Sequence, residues 1–167
     1  MSEWTLADEL ALQPVNLARA ALLCAQAVAY PELQIARYME GFGDLAAAAR
    51  PYVPDSDPIL VRGVLLAEFL FGRAGLSGNR QAYGDVRNSF LNDVLDRKLG
   101  IPITLSIVYL DVARRLNIPA HGVGLPGHFI VGVTEDQDTW YLDPFNGGGR
   151  LSLNECARLV EYTTGYR

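Results

Sequence analysis

The distribution of apolar residues divides the chain into a helical first half and a second half with one central helix and short strands. From Pro102 to Leu116, apolar residues occupy almost every face of a helix, which is typical of a helix covered on all sides. Between Ala120 and Leu142 the pattern changes to short apolar or alternating runs, separated by Pro126-Gly127 and by a polar turn that begins at Glu135. These features predict an α+β fold in which a buried central helix packs on a small antiparallel sheet.

Start and stop signals set the limits of the other helices. The predicted helices are Asn16 to Tyr30, Leu33 to Ala49 with a break near Gly41 and Gly43, Ile59 to Phe71, a helix capped by Asn88 and running to Lys98, and Leu153 to Tyr162 capped by Ser152. We divide the chain into a helical N-terminal part, residues 1–83, and a core, residues 84–167, and expect the two to form one compact unit.

Composition and charge limit the kinds of partner that we expect for this chain and the cellular compartment in which we expect it. The chain has 167 residues, 50% of them apolar, which is enough for a core in a single domain. The net charge is −5 and the basic residues are scattered, so we expect no nucleic-acid partner. We find no export signal and no apolar stretch long enough to span a bilayer, and therefore expect a cytoplasmic protein with no membrane partner. Cys24 and Cys156 lie in helical patterns without metal-type spacing, so we expect reduced, buried thiols, no metal and no cofactor.

His128 and Asp143 are the residues with the clearest chemical potential. They are 143 − 128 = 15 positions apart and lie at the outer ends of two strands joined by a short turn. Because such strands run antiparallel, the imidazole and the carboxylate are predicted to meet. A carboxylate beside a histidine fixes its tautomer and raises its basicity, as in a nucleophile–base–orienter triad. The alternative is a structural histidine bound to a carboxylate that caps the Asp143-Pro144 turn.

Several stretches resemble the core of transglutaminase-like proteins. They are Ala113 to Ala120, Gly127 to Phe129 and Trp140 to Pro144. A closer similarity, to the SirB-type branch, is carried by Asp85 to Leu91, Gly100 to Ser106, Gly124 to Phe129 and Asp143 to Gly148. The resemblance covers roughly residues 15 to 157. It implies a papain-like fold with a Cys-His-Asp triad. Members often carry a further helical, tetratricopeptide-like part after this core, so we expect a short form or a fragment.

One departure from the family pattern concerns the nucleophile. The family cysteine stands at the start of the central helix, where the helix dipole favours a thiolate. The family spacing places Pro102 at that position, and proline offers no nucleophile. Cys24 and Cys156 belong to other helices. Of the nearby hydroxyls, Ser106 lies one turn beyond Pro102 on the same face, and Thr104 points elsewhere.

Two functions follow from these residues. In the first, the chain is a pseudoenzyme, a non-catalytic binding or regulatory module for a peptide or protein, with neutral or basic partners favoured by the acidic chain. Its candidate binding residues are Asn88, Pro102 and Asn146, the last in a glycine-rich turn that a peptide backbone could approach.

The alternative function is an amide hydrolase or acyltransferase. His128 would be the base, Asp143 its orienter, and Ser106, Thr104 or a water molecule the nucleophile. Core serine and threonine hydroxyls more commonly bond back to the preceding helical turn.

Overall fold

The computed structural model describes residues 4–165. The helices are α1 (Leu6–Leu10), α2 (Leu17–Val28), α3 (Ile35–Ala49), α4 (Ile59–Glu68), α5 (Leu91–Arg97), α6 (Pro102–Arg115) and α7 (Leu153–Thr164), with a π-helical turn at Phe69–Arg73 and 3-10 turns at Arg50–Tyr52, Val86–Ser89 and Pro144–Asn146. The strands are β1 (Ser77–Gly78), β2 (Leu99–Gly100), β3 (Ala120–Leu125), β4 (His128–Glu135), β5 (Asp138–Asp143) and β6 (Gly149–Leu151). Within residues 4–165, every helix is too short or too polar to cross a bilayer.

The main sheet is a four-stranded antiparallel meander in the order β3-β4-β5-β6. The turn between β3 and β4 is Pro126-Gly127, which places Leu125 opposite His128. Gly127 has φ +74°, a conformation that glycine adopts without strain at the second central position of a turn whose first is proline. The antiparallel sheet predicted from the sequence is confirmed, whereas the small parallel pair β1-β2 was not predicted.

Helix α6 is the centre of the fold. It contacts α2, α3 and α4 on the helical side and β3 and β4 on the sheet side. Leu105, Val108 and Val112 are fully buried, and each such side chain stabilises the fold by about 1.5–3 kcal/mol. The hydroxyl of Tyr109 donates to the Gly63 carbonyl at 2.9 Å, which satisfies the polar atom of the largest fully buried side chain. The prediction of an α+β fold with a buried central helix is therefore confirmed.

Three predictions about the helices and cysteines are wrong. Helix α3 continues through Gly41 and Gly43 without the predicted break. Gly41 lies on the open side of the helix and Gly43 lies beside Arg115, and neither position forces the backbone out of the helix. Helix α5 begins after Phe90, and Asn88 belongs to the preceding 3-10 turn, where its side chain bonds to a loop instead of to a helix end. Cys24 is exposed and Cys156 half-buried, although both are free as expected.

Candidate functional site

His128 and Asp143 are in direct contact. His128 opens β4 and Asp143 closes β5, so the antiparallel pairing brings their side chains together. The Nε2 atom of His128 lies 3.0 Å from Oδ1 and 3.1 Å from Oδ2 of Asp143. The contact is the one that the hairpin geometry predicts, while the catalytic use of the pair stays a prediction.

Hydrogen-bond donors surround the Asp143 carboxylate. The side chain is 1% exposed and accepts from the backbone N–H groups of Phe145 at 3.1 Å and Asn146 at 3.2 Å. The Asn146 side-chain amide donates to Oδ2 at 2.5 Å. Burial by itself raises the pKa of Asp143, but the hydrogen bonds from His128 and Asn146 outweigh it, so the pKa lies below its ordinary value. Asp143 is therefore an ionised carboxylate that both orients His128 and caps the Pro144–Asn146 turn.

The Nδ1 atom of His128 has no hydrogen-bond partner within residues 4–165, and it is not among the buried unpaired atoms of that part of the chain. Since Nε2 is held by the carboxylate, Nδ1 is the ring nitrogen left for a further hydrogen bond, although the side chain as a whole is only 6% exposed. In geometry this arrangement matches the base and the orienter of a triad, and these roles stay a prediction.

Side chains that the sequence did not single out extend the site. Arg80 donates to Oδ1 of Asn146, and its guanidinium lies 5.4 Å from the centre of the Phe145 ring. Phe145 also meets the rings of Tyr83 and His128 edge-on, with centroid distances of 5.7 and 6.1 Å. Arg80 and Tyr83 lie in a polar loop about sixty positions before Asp143, and no periodic pattern connects them to it; only the fold brings them together.

The start of α6 carries the position where the family has its cysteine. Pro102 is the first residue of the helix and is buried. The Thr104 hydroxyl donates to the Asn88 carbonyl at 2.9 Å and accepts from the Ile101 N–H at 3.1 Å. The Ser106 hydroxyl is completely buried and donates to the Pro102 carbonyl at 2.8 Å. Both hydroxyls are thus engaged with backbone atoms, and neither forms a hydrogen bond with His128 among the described residues.

Asn88 holds the loop beside the site in place. Its side chain is 0% exposed, donates to the carbonyls of Ala82 at 2.8 Å and Tyr83 at 3.1 Å, and accepts from Asn79 at 3.0 Å. A buried amide with all these partners fixes the backbone that carries Tyr83 and Arg80. Of the three predicted binding residues, Asn146 is exposed, whereas Asn88 and Pro102 are buried beneath the surface.

His128 lies outside the main surface pockets, and its side chain is only 6% exposed. Four principal surface pockets within residues 4–165 are lined by other residues, and none of them includes His128 or Asp143. The most voluminous, about 1140 Å³, lies among α2, α3 and the end of α6. The candidate site is consequently not one of these pockets, and the His128–Asp143 pair is largely buried.

Comparison with known proteins identifies relatives of this chain. A UPF0162 protein of Xylella fastidiosa (strain 9a5c) is 48% identical over 92 residues, which make up 55% of this chain and 33% of that protein. F-box only protein 21 of Mus musculus is 37% identical over 99 residues, 54% of this chain and 16% of that protein. A UPF0162 protein of Vibrio cholerae is 39% identical over 74 residues, 44% of this chain and 27% of that protein.

These matches span a third or less of each of the three relatives' own lengths. No solved structure matches the chain. The family model described as the transglutaminase-like superfamily matches residues 36–167, which include α6, the sheet and the His128–Asp143 pair. By this match the chain belongs to the transglutaminase-like superfamily.

Proposed function

We propose that this chain is a non-catalytic binding module of the SirB-type branch, with a peptide or protein as its partner. The start of α6 carries this proposal, because the position of the family nucleophile is occupied by Pro102. The hydroxyls of Thr104 and Ser106 are buried and already donate to backbone carbonyls, so activating either would first require breaking a buried hydrogen bond. The chain thus has a candidate base, His128, and its orienter, Asp143, but no candidate nucleophile at the start of α6 that is free to react. This combination supports binding of a partner and argues against covalent catalysis.

The surface formed by Arg80, Tyr83, His128 and Phe145, which we call the His128 surface, has the composition of a binding site. Tyrosine and arginine are the residues most often responsible for binding energy at protein interfaces. Tyr83 is half exposed, and its ring and the Arg80 guanidinium both rest on Phe145. An apolar or aromatic side chain of a partner would pack against the rings of Tyr83 and Phe145.

A hydrolase is the second candidate, favoured by the geometry of His128. The ring is held at Nε2 by an ionised Asp143, and Nδ1 has no partner within residues 4–165. A water molecule bound at Nδ1 would be the nucleophile of an amidase or protease that forms no covalent intermediate.

Selection of ligands from a displayed library of random dodecapeptides tests the binding proposal. We expect selected peptides to bind the wild-type chain and to lose about tenfold in affinity on Tyr83→Ala, since truncating an interface anchor costs more than 1 kcal/mol. Tyr162→Ala is the matched control, because Tyr162 is an exposed tyrosine on α7, outside the His128 surface.

Two results would overturn the proposal. One is the absence of any ligand from the selection. The other is hydrolysis of a panel of amide and ester substrates by the wild-type chain that disappears in His128→Ala and persists in His121→Ala, a change at the other histidine of the chain.

A further inference from the structure

Strand β3 forms one edge of the main sheet, and its pairing with β4 fixes which backbone groups point outward. The register pairs Ala120 with Val133, and the Thr134 N–H donates to the Pro119 carbonyl at 3.1 Å. In an antiparallel pair, hydrogen-bonded and non-hydrogen-bonded positions alternate. Since Pro119 is a hydrogen-bonded position, the odd-numbered residues of β3 bond to β4.

The N–H and C=O groups of Ala120, Gly122 and Gly124 therefore point away from the sheet. None of these groups has a backbone partner elsewhere within residues 4–165. His121, Gly122 and Gly124 are exposed, so no element within residues 4–165 covers this part of the edge. Natural edge strands are usually blunted by lysine, proline, a bulge or a covering segment. β3 contains no lysine or proline and pairs with β4 over its whole length without a bulge.

A pocket of about 440 Å³ lies directly beside the N-terminal half of this edge. Its apolar walls come from the start of α2, from α6 and from the segment between α6 and β3, with Leu17, Leu110 and Ile118 as respective examples. The pocket lies on the α6 side of the sheet, the side that Gly122 faces, since a Cβ added there would meet Leu110 at 3.7 Å. The Phe129 ring covers Gly122 itself, 2.7 Å from an added Cβ, and the pocket lies beyond it towards Pro119 and Ala120. A residue opposite Gly122 or Ala120 in an added strand would direct its side chain to this same face.

We propose that an extended peptide from a partner protein adds to β3 as a fifth strand and places one apolar side chain in this pocket. This inference rests on the proposed function, because both take a peptide as the partner. It places the bound peptide at the edge of β3, whereas the proposed function places it at the His128 surface. Main-chain hydrogen bonds to Ala120, Gly122 and Gly124 supply general affinity, and the pocket supplies selectivity for one side chain. A peptide fits this edge better than the β3 edge of a second copy does, because the outward residues of that edge, Ala120, Gly122 and Gly124, carry no side chain large enough to fill the pocket.

Gly124 provides the test, because a side chain there has room. A Cβ added to Gly124 has its nearest contact at 3.9 Å, from the Phe129 ring. Gly124→Pro removes one outward N–H and places the ring on the open edge, where proline is tolerated. Gly124→Ala is the matched control that keeps the N–H. Dodecapeptides selected on the wild-type chain are titrated against the wild-type chain and both full-length variants, and amide hydrogen exchange is followed by NMR.

We expect peptide binding to slow exchange at Ala120, Gly122 and Gly124, and affinity to fall about tenfold in Gly124→Pro but not in Gly124→Ala. The folded state of Gly124→Pro is verified by an NMR spectrum with native dispersion.

The outcomes separate this inference from the proposed function. Peptides that lose affinity on Tyr83→Ala but bind Gly124→Pro normally, without protecting the β3 amides, would overturn the inference and leave the proposed function standing. Absence of any selected peptide would overturn both. Self-association of the wild-type chain that Gly124→Pro abolishes, without protection of the β3 amides by peptide, would assign the edge to a second copy and overturn the choice of a peptide.

Discussion

Asp143 combines two tasks in one buried carboxylate. It receives hydrogen bonds from His128, from two backbone N–H groups and from Asn146, so the imidazole orientation and the Pro144–Asn146 turn depend on the same charge. A hydrogen bond to an ionised group contributes about 1.5–3 kcal/mol to the stability of the folded state, more than a bond between neutral groups does. Asp143 thus contributes to stability whether or not the site performs chemistry.

The first prediction concerns the pH dependence of this contribution. Because the folded-state pKa of Asp143 is depressed, its stabilising effect is present above the ordinary pKa of 3.8 and is lost as the pH falls through the folded-state value. Asp143→Asn should lower the free energy of unfolding by about 1–3 kcal/mol at pH 7, and the difference from wild type should shrink as the pH falls below 3.8 and through the folded-state pKa. Urea unfolding across this range measures it.

Asp138→Asn serves as the control for this prediction, since Asp138 is an exposed aspartate on the same strand. A loss of stability in Asp143→Asn that stays the same from pH 7 down to the lowest pH at which the chain remains folded would contradict the assignment of an ionised carboxylate.

The second prediction separates the two hydroxyls at the start of α6. Thr104→Val leaves the Ile101 N–H and the Asn88 carbonyl without their partner and should cost about 1–2 kcal/mol. Ser106→Ala removes only a bond back to the preceding turn and should change stability by less than about 1 kcal/mol. Equilibrium unfolding of the two variants tests this order, and equal losses would contradict the structural role assigned to Thr104.

At the scale of elements, the segment from β1 to the start of α5 contributes two side chains, Arg80 and Tyr83, to the His128 surface. Asn79 and Asn88 tie its two ends together through buried side chains, and Arg80 and Tyr83 lie between them. β1 brings this segment against the Pro144–Asn146 turn, where a Cβ added to Gly78 would lie 2.5 Å from the Phe145 carbonyl oxygen. Only a glycine allows so close an approach.

The third prediction compares two glycine substitutions. Gly78→Ala should destabilise the chain by about 1–3 kcal/mol, because the added methyl group collides with backbone and forces β1 away from Phe145. Gly41→Ala should stabilise it by about 0.5–1 kcal/mol, because Gly41 lies within α3 with nothing within 4 Å of an added Cβ. Thermal or urea unfolding measures both, and destabilisation by Gly41→Ala would contradict the continuous helix.

The fourth prediction concerns the buried amide that fixes the loop. Asn88→Ala leaves the Ala82 and Tyr83 carbonyls and the Asn79 amide without partners and should cost about 2–3 kcal/mol. Hydrogen exchange of residues 79–89 should accelerate in the same variant. Asn154→Ala, at an exposed position of α7, is the control, and an equally small effect of both changes would contradict the role given to Asn88.

At the scale of the whole molecule, hydrophobic periodicity was sufficient to predict the central helix and the three strands of the sheet that follow it. The buried pattern after Pro102 predicted α6, and alternation and turn signals predicted the strands that became β3, β4 and β5. The His128–Asp143 contact followed from hairpin geometry alone. These features depend on residues close in sequence, whose side-chain direction is set by helix or strand period.

The positions of Arg80, Tyr83 and Asn88 in the site could not be predicted from local sequence patterns. Arg80 and Tyr83 join Phe145 through contacts between distant segments, in a loop without periodicity. Asn88 precedes a helix, as a cap does, but a tertiary network satisfies its side chain instead, and Phe90 takes the cap position. Long-range polar contacts leave no local signal in a single sequence.

The family match and the missing nucleophile together define the central claim, that a transglutaminase-like fold here serves binding without covalent chemistry. Intact-mass labelling with fluorophosphonate, β-lactone and epoxide probes tests it most directly, on wild type, His128→Ala, His121→Ala and a variant without Cys24 and Cys156. We predict no adduct that depends on His128. A stoichiometric adduct on Ser106 or Thr104 that persists in His121→Ala and disappears in His128→Ala would contradict the claim and identify an enzyme.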